Sequence, residues 1–156
     1  MNNIDILIDS EQSMFTYRVA ALIIENDRML VAKHKNHECY YTVGGKVKMN
    51  ETSEDAVVRE VYEETGHKFE IDRLVFIQER FFTYCSKNHH EVVFFYLMKY
   101  NKVYTISDNL YSDQIEAETL HWLPLNTIKQ QNIVPDFLKE IDVGDMNKIV
   151  YIVTKE

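Results

Sequence analysis

One short acidic segment constrains this chain more than any other part of its sequence. From Gly45 to Gly66 the residues follow the spacing G-x5-E-x7-R-E-V-x-E-E-x-G. Within it, Glu60, Glu63 and Glu64 stand three and four positions apart, so a helix would place their carboxylates on one face. Clustered negative charges repel one another unless a cation lies among them, and Mg2+ prefers carboxylate oxygen. The segment therefore predicts a helix that carries a metal site for phosphate chemistry.

The same segment contains the signals that begin and end a helix. Thr52 is a good N-cap, and Asp55 three residues later completes a capping box of the S/T-x-x-E type. Gly66 can adopt the left-handed conformation that ends many helices. We therefore expect a helix over about residues 53–65.

Turning this helix by about 100° per residue separates an apolar side from an acidic side. Val57 and Val61 fall on the apolar side, and Ala56 falls with the three glutamates on the other. Arg59 can reach back to Glu51 in the preceding loop, so we expect its guanidinium to orient carboxylates rather than to bind metal. An isolated E-x-x-E-E motif usually belongs to a solvated helix face. Here the glycines, the cap and the arginine all fit one spacing, which favours the metal site.

This spacing resembles the Nudix box, the signature of the Nudix hydrolase family. All fixed positions match except the last, where the family usually has a bulky aliphatic residue and this chain has His67. The resemblance covers about residues 15–141 of a single domain spanning residues 1–156. It implies an α/β fold of the Nudix type, an α/β/α sandwich with a mixed β-sheet between helices. It also implies an enzyme that uses Mg2+ or Mn2+ and water to cleave the P–O–P bond of a nucleoside diphosphate linked to another moiety.

The resemblance also implies roles for individual residues. The metal ligands would be the backbone carbonyl of Gly44 and the carboxylates of Glu60, Glu63 and Glu64. The general base would be Glu60 or, as a second choice, Glu116, which stands in an acidic loop six residues before a tryptophan. A solvated loop charge is the alternative for this residue. The catalytic set is thus predicted to be Glu60, Glu64, Glu116 and Arg59.

Further residues are candidates for contacts with the substrate or the metal. Glu118 is a weaker candidate than its loop neighbour, because it enters the next strand and we expect it to face away. Arg18 and Lys33 can contact phosphates, with ordinary strand-face charges as the alternative. Tyr84 stands near the place where Nudix enzymes that act on diadenosine polyphosphates often carry a tyrosine.

The rest of the chain predicts strands with interspersed helices, without repeats or linkers. We expect two hairpins, one strand that carries the tryptophan, one helical segment near the end, and a final strand that lies at an edge or pairs with residues 4–8. In chain order these are the hairpin of 15–25 with 29–33, the hairpin of 74–82 with 91–100 around a polar loop at 86–90, strand 119–123, helix 135–141 and strand 149–153.

Composition limits the classes of partner. The net charge of −8 opposes nucleic-acid binding, and a small anionic substrate requires a metal that reverses the local sign. No apolar run of about 18 residues predicts a membrane span, and the acidic N-terminus lacks the basic region of a secretory signal. Cys39 and Cys85 are expected to be free thiols in a reducing cytoplasm. The predicted partners are a small nucleotide-type substrate and, as an open alternative, a second copy in a homodimer.

A different class of function is also compatible with the motif. A Nudix fold can act without catalysis, as a module that senses a nucleotide or binds a protein. Such domains usually lose glutamates of the box, whereas this chain retains all of them. Hydrolysis is therefore the function that the sequence favours.

Overall fold

A mixed β-sheet with one α-helix packed on it forms the centre of the computed structural model, which describes residues 3–108, 110–111 and 117–156. The predicted residue Glu116 lies outside the described residues. In chain order the elements are β1 (Leu7–Asp9), β2 (Ser13–Leu22), β3 (Ile24–Glu25), β4 (Arg28–His34), β5 (Tyr40–Lys46), α1 (Ser53–Thr65), β6 (Glu70–Tyr84), β7 (Lys87–Lys99), β8 (Leu110–Tyr111), β9 (Glu118–Pro124), β10 (Ile133–Val134) and β11 (Val150–Lys155). Three short 3-10 helices cover Leu125–Gln130, Asp136–Glu140 and Val143–Asp145.

The sheet is mixed, as predicted. Its main order is β11-β6-β7-β2-β5-β4-β9-β8, with β1 on β2, β3 on β4 and β10 on β5. The pairs β2–β7, β6–β11 and β5–β10 are parallel, and the other pairs are antiparallel. Strands β2 and β5 therefore lie near the middle of the sheet, where both of their edges are paired.

The second predicted hairpin is confirmed, and the first is largely wrong. Strands β6 and β7 pair around Cys85 and Ser86, whose φ angles of 50° and 62° form the tight turn. His89 and His90 consequently lie in β7 rather than in a loop. Strand β4 pairs with the two-residue β3 but not with β2, which lies between β5 and β7 instead. The long apolar run of β2 requires neighbours on both sides, and the sequence pattern does not identify them.

Each face of the sheet carries its own apolar core. On one face Val57 and Val61 of α1 pack with sheet residues such as Val19 and Ala21. On the other face the 3-10 helices supply buried residues such as Leu138. The segment expected to be helical over 135–141 is thus helical, but as a single short 3-10 helix that begins after Pro135.

Helix α1 has the predicted bounds and caps, but it faces the sheet differently. The Oγ1 atom of Thr52 accepts a hydrogen bond from the Asp55 N–H (3.1 Å), and Gly66 adopts a left-handed φ of 75°. However, Ala56 and Glu64 are buried against the sheet together with the valines. The predicted division into an apolar and an acidic side is therefore wrong at these two positions, because the buried stripe continues through Glu64.

The chain termini flank the sheet without pairing with each other. Strand β11 is an edge strand against β6, as one of the two alternatives predicted, while β1 pairs with β2. Cys39 and Cys85 are free thiols. None of the helices in the described part of the chain has the length and apolar character needed to span a bilayer.

The helix cap provides a test of the local structure. Replacing Thr52 with Ala should lower the free energy of unfolding by about 1 kcal/mol, because the Asp55 N–H loses its acceptor. Thr52→Ser keeps the hydroxyl and is the matched control, with a change close to zero. Urea unfolding of both variants measures the difference. Equal stability of the Ala and Ser variants would contradict the role of the cap.

Candidate functional site

Arg59 is the organising residue of the acidic segment. Its Nε and Nη2 atoms donate to the two carboxylate oxygens of Glu51 (2.6 and 3.0 Å). Its Nη1 atom donates to Glu60 (2.7 Å) and Glu63 (3.2 Å). Nη2 also donates to the backbone carbonyl of Lys46 (3.1 Å). One guanidinium therefore connects the strand end, the loop and the helix, and its predicted contact with Glu51 is present.

The ion pairs in this network change the proton affinities of its members. The hydrogen bonds from Arg59 hold the pKa of Glu51 below its usual value, and the Lys48 N–H lowers that pKa further. Hydrogen bonds to Glu51 and Glu60 raise the pKa of the Arg59 guanidinium. Burial raises the pKa of Glu60, although Arg59 acts against this effect. Glu51 and Arg59 are thus a permanently charged pair that supports the cluster.

Two neighbouring glycines, Gly44 and Gly45, allow close contacts that a side chain would block. A Cβ atom on Gly45 would lie 2.4 Å from the carboxyl carbon of Glu60, so this carboxylate fills the space that a side chain would occupy. A Cβ atom on Gly44 would instead lie 2.2 Å from the backbone oxygen of Val19. Gly44 is required because the neighbouring strand packs closely against it, and Gly45 is required because the Glu60 carboxylate occupies the adjacent space.

Glu64 and Glu118 form a second, buried part of the cluster. Glu64 is 4% exposed and accepts a hydrogen bond from the Gly44 N–H (3.2 Å), while Glu118 is 3% exposed and accepts one from the Tyr41 hydroxyl (2.7 Å). One oxygen of each carboxylate has no hydrogen-bond partner among the described residues. Burial and the nearby charge of Glu118 raise the pKa of Glu64 well above its usual value. Burial and the bond to Glu118 also raise the pKa of Tyr41.

The position of Glu118 corrects the expectation that it faces away from the site. It is the first residue of β9, as predicted, but its side chain points to the α1 side of the sheet. Side chains alternate along a strand, so Glu118 shares its face with Leu120 and Trp122, which both belong to the core beneath α1. The alternation of Glu118, Leu120 and Trp122 in the sequence was the pattern from which this orientation could have been predicted. The preferred loop residue, Glu116, lies outside the described residues, so its role stays a prediction.

The donor set fits a hard divalent cation. Among the residues that the structure describes, no three His, Cys, Asp or Glu side chains are already arranged around one point as a cation site. Glu60 and Glu63 are instead turned towards Arg59. Glu64 and Glu118 nevertheless each have a buried oxygen without a partner among the described residues, which lowers the stability of the fold. A proton or a metal ion between the two carboxylates would remove this destabilisation. The candidate ligands are carboxylate oxygens and, at Gly44, a backbone carbonyl oxygen, both of which Mg2+ and Mn2+ accept.

A cavity of about 350 Å³ is lined by Tyr41 and Gly44, which donate hydrogen bonds to Glu118 and Glu64, and by one of the three predicted substrate-binding residues. We call it the strand-face cavity and define it by Arg18, Ala20, Tyr41, Gly44, Gln78, Arg80, Val93 and Phe95, which are among its lining residues. Arg18 lies close enough to Glu60 to lower the pKa of that carboxyl. Lys33 is not among the residues that line the cavity. Its ammonium instead lies 5.0 Å from the centre of the Tyr40 ring. Tyr84 is 52% exposed at the β6–β7 turn and also does not line it.

The two glycines yield predictions for stability that differ in size. Gly44→Ala should lower the free energy of unfolding by about 1–3 kcal/mol, because the new methyl group meets backbone that cannot move away. Gly45→Ala should cost less, because the atom it meets belongs to the flexible end of Glu60. Urea unfolding of the two variants tests this order. A larger loss for Gly45→Ala would contradict the assignment of the two contacts.

Comparison with known proteins places this site in a family. A sequence profile of the NUDIX domain matches residues 14–141. A MutT-like protein from Streptomyces ambofaciens is 37% identical over 57 residues, which are 36% of this chain and 37% of that protein. The match therefore spans little more than a third of the length of this relative.

Solved structures show the same fold. The mutator MutT protein from Bacillus halodurans superposes with a TM-score of 0.69 at 14% identity, covering 90% of both chains. A MutT NUDIX hydrolase from Burkholderia pseudomallei superposes with a TM-score of 0.57 at 26% identity, covering 72% of this chain and 84% of that one. Both superpositions include most of the sheet, so the fold predicted from the sequence is confirmed.

Proposed function

The chain belongs to the NUDIX family, and from that premise we propose that it hydrolyses the P–O–P bond of a nucleoside diphosphate derivative with the help of a divalent metal. One observation carries this proposal. Two buried carboxylates, Glu64 and Glu118, each retain an oxygen without a partner in the part of the chain that the structure describes, next to Glu60 and Glu63 that Arg59 holds in place. Such a cluster is unfavourable alone and favourable around a cation.

Each residue of the cluster has a distinct task in this proposal. Glu60, Glu63, Glu64 and the carbonyl of Gly44 would hold Mg2+ or Mn2+, and Glu118 joins them as a further ligand. When bound, the metal would neutralise phosphate charge and strengthen water as a nucleophile. Arg59 fixes the carboxylates before the substrate arrives, so less reorganisation is needed during the reaction.

The general base and the phosphate contacts follow from the same arrangement. Glu60 stays the first choice for the base, because Arg59 and Gly45 fix the position of its carboxylate. Glu118 joins Glu116 as the alternative, since its carboxylate lies beside Glu64. Arg18 lines the cavity next to Gly44 and would contact the phosphates of the substrate.

Removing charge from the cluster tests the metal site. Glu63→Gln and Glu64→Gln should each lower kcat by about 100-fold or more, because the transition state loses metal stabilisation. The gain in melting temperature on adding Mg2+ should shrink in both variants. Glu54→Gln, on the exposed first turn of the same helix, is the control and should keep the activity. Phosphate release across a panel of nucleotide substrates, with and without EDTA, provides the measurement.

Two results would decide against this proposal. Near-normal turnover of both variants at saturating Mg2+, or full hydrolysis in excess EDTA, would rule out the assigned metal site. Tight nucleotide binding by the wild type without any turnover would favour the alternative of a non-catalytic sensor.

Glu118 and Glu116 can be separated by a matched pair of variants. Glu118→Gln should lower kcat at least about tenfold with little change in KM, because the lost contact belongs to the transition state. It should also raise the melting temperature without metal, because the repulsion with Glu64 is removed. Glu116→Gln should change stability by no more than about 0.5 kcal/mol if it is a loop charge. A large loss of kcat only at Glu116 would restore that residue as the base or ligand.

A further inference from the structure

A buried amide on the wall of the strand-face cavity lacks one hydrogen bond. Gln78 on β6 is fully buried at 0% exposure and lines the cavity. Its Nε2 atom donates to the Thr154 hydroxyl (3.0 Å), and its Oε1 atom has no partner among the described residues. Leaving a buried acceptor without a donor costs about 1–3 kcal/mol. A ligand that offers an N–H group in the cavity would remove this cost.

A guanidinium two residues further along β6 lines the same cavity. The Nε and Nη2 atoms of Arg80 donate to the two carboxylate oxygens of Glu156 (3.2 and 2.7 Å). Its Nη1 atom lies 3.9 Å from an oxygen of Glu91, which is too long for a hydrogen bond. The guanidinium also lies over the Phe82 ring, 4.2 Å from its centre. Arg80 is therefore fixed on one side and retains a donor on the other.

The partners of these side chains are Thr154 in β11 and Glu156, the residue that directly follows β11. In the parallel pairing of β6 with β11, Gln78 is opposite Ile152 and Arg80 is opposite Thr154. Each β6 side chain therefore bonds to the residue two positions beyond its register partner, on the same face of the sheet. The family match covers residues 14–141, and β11 lies outside this range. The end of β11 and Glu156 thus orient two of the polar side chains that line the cavity.

We propose that the end of β11, together with Glu156, is a positioning element for substrate selection, which holds Gln78 and Arg80 so that they bind the hydrogen-bonding edge of a nucleobase. This inference rests on the proposed function. Gln78 supplies an acceptor and Arg80 a donor, and nucleobases present donors and acceptors side by side along one edge. Ala20, Val93 and Phe95 form an apolar wall suited to the flat body of a base.

The cavity is also suitably placed to bind the base of a nucleotide whose phosphates reach the carboxylates. Tyr41 and Gly44 line the cavity and at the same time donate hydrogen bonds to Glu118 and Glu64. A base in the cavity would therefore direct its phosphates towards the carboxylates, past Arg18. The volume of about 350 Å³ lies in the range of small-molecule sites.

The experiment compares variants of β11 that differ in one group. Thr154→Val removes the oxygen that orients Gln78 and keeps the shape, while Thr154→Ser keeps the oxygen. Tyr151→Phe removes a hydroxyl on the other face of β11, where it donates to Glu79, and is the control. Calorimetry in EDTA measures the Kd of each full-length protein for the four nucleoside 5′-monophosphates and for ribose 5-phosphate, which lacks a base. Steady-state hydrolysis of the best substrate, with Mg2+, gives kcat and KM for each variant.

The expected outcome is selective. Thr154→Val should weaken the preferred nucleoside monophosphate about fivefold, the size of one neutral hydrogen bond, and leave ribose 5-phosphate unchanged. In Thr154→Val the KM should rise while kcat stays unaltered. Thr154→Ser should restore the wild-type Kd and KM. Gln78→Leu should weaken binding of the nucleotide but not of ribose 5-phosphate. Tyr151→Phe should bind like the wild type.

Two outcomes would overturn the inference. One is a wild type that binds ribose 5-phosphate as tightly as every nucleotide, and the other is an unchanged Kd in Thr154→Val with the fold intact by thermal unfolding. Base-selective binding without any hydrolysis would reject the proposed function alone. Normal hydrolysis with no effect of Thr154→Val would reject the role of β11 alone.

Discussion

The structure around the carboxylates depends on one guanidinium. An arginine has five N–H donors in a rigid fork, and Arg59 uses its Nε and both Nη atoms on three carboxylates and one backbone carbonyl. The contact with Lys46 fixes the end of β5, and the contacts with Glu51 fix the loop that leads into α1. A lysine would offer a mobile point charge in the same place and could not set these distances together. The carboxylates are therefore ordered before any cation or substrate binds.

This arrangement divides the acidic residues into two kinds. Arg59 shares its one positive charge among Glu51, Glu60 and Glu63, whereas Glu64 and Glu118 lie buried beside one another and accept hydrogen bonds from neutral donors. Among the described residues, the second kind therefore has no positively charged hydrogen-bond partner, while the first kind has one. We infer that a bound metal is favoured where the protein leaves this charge uncompensated, and that Arg59 prevents the remaining glutamates from moving away.

The sequence predicted what depends on residues close together in the chain. The cap at Thr52, the end at Gly66 and the contact of Arg59 with Glu51 all involve residues close together in the chain, and all are confirmed. The pairing of Glu64 with Glu118 depends on strand order, because β9 reaches α1 only after the sheet is assembled. The same holds for β2, whose neighbours are β5 and β7 rather than β4. Local sequence patterns do not determine strand order. The alternation of Glu118, Leu120 and Trp122 did, however, indicate that Glu118 lies on the α1 face of the sheet.

The two proposals assign chemistry and selectivity to different parts of the chain. The carboxylates of α1 lie within residues 14–141, which match the family, and β11 lies beyond them. Strand β5 connects the two regions, since Tyr41 and Gly44 contact the carboxylates and also line the cavity. A change in β11 can therefore alter which base is bound while the metal site keeps its geometry. Thr154 and Glu156, which orient Gln78 and Arg80, lie outside the matched range, so substitutions in different parts of the chain test the two proposals separately.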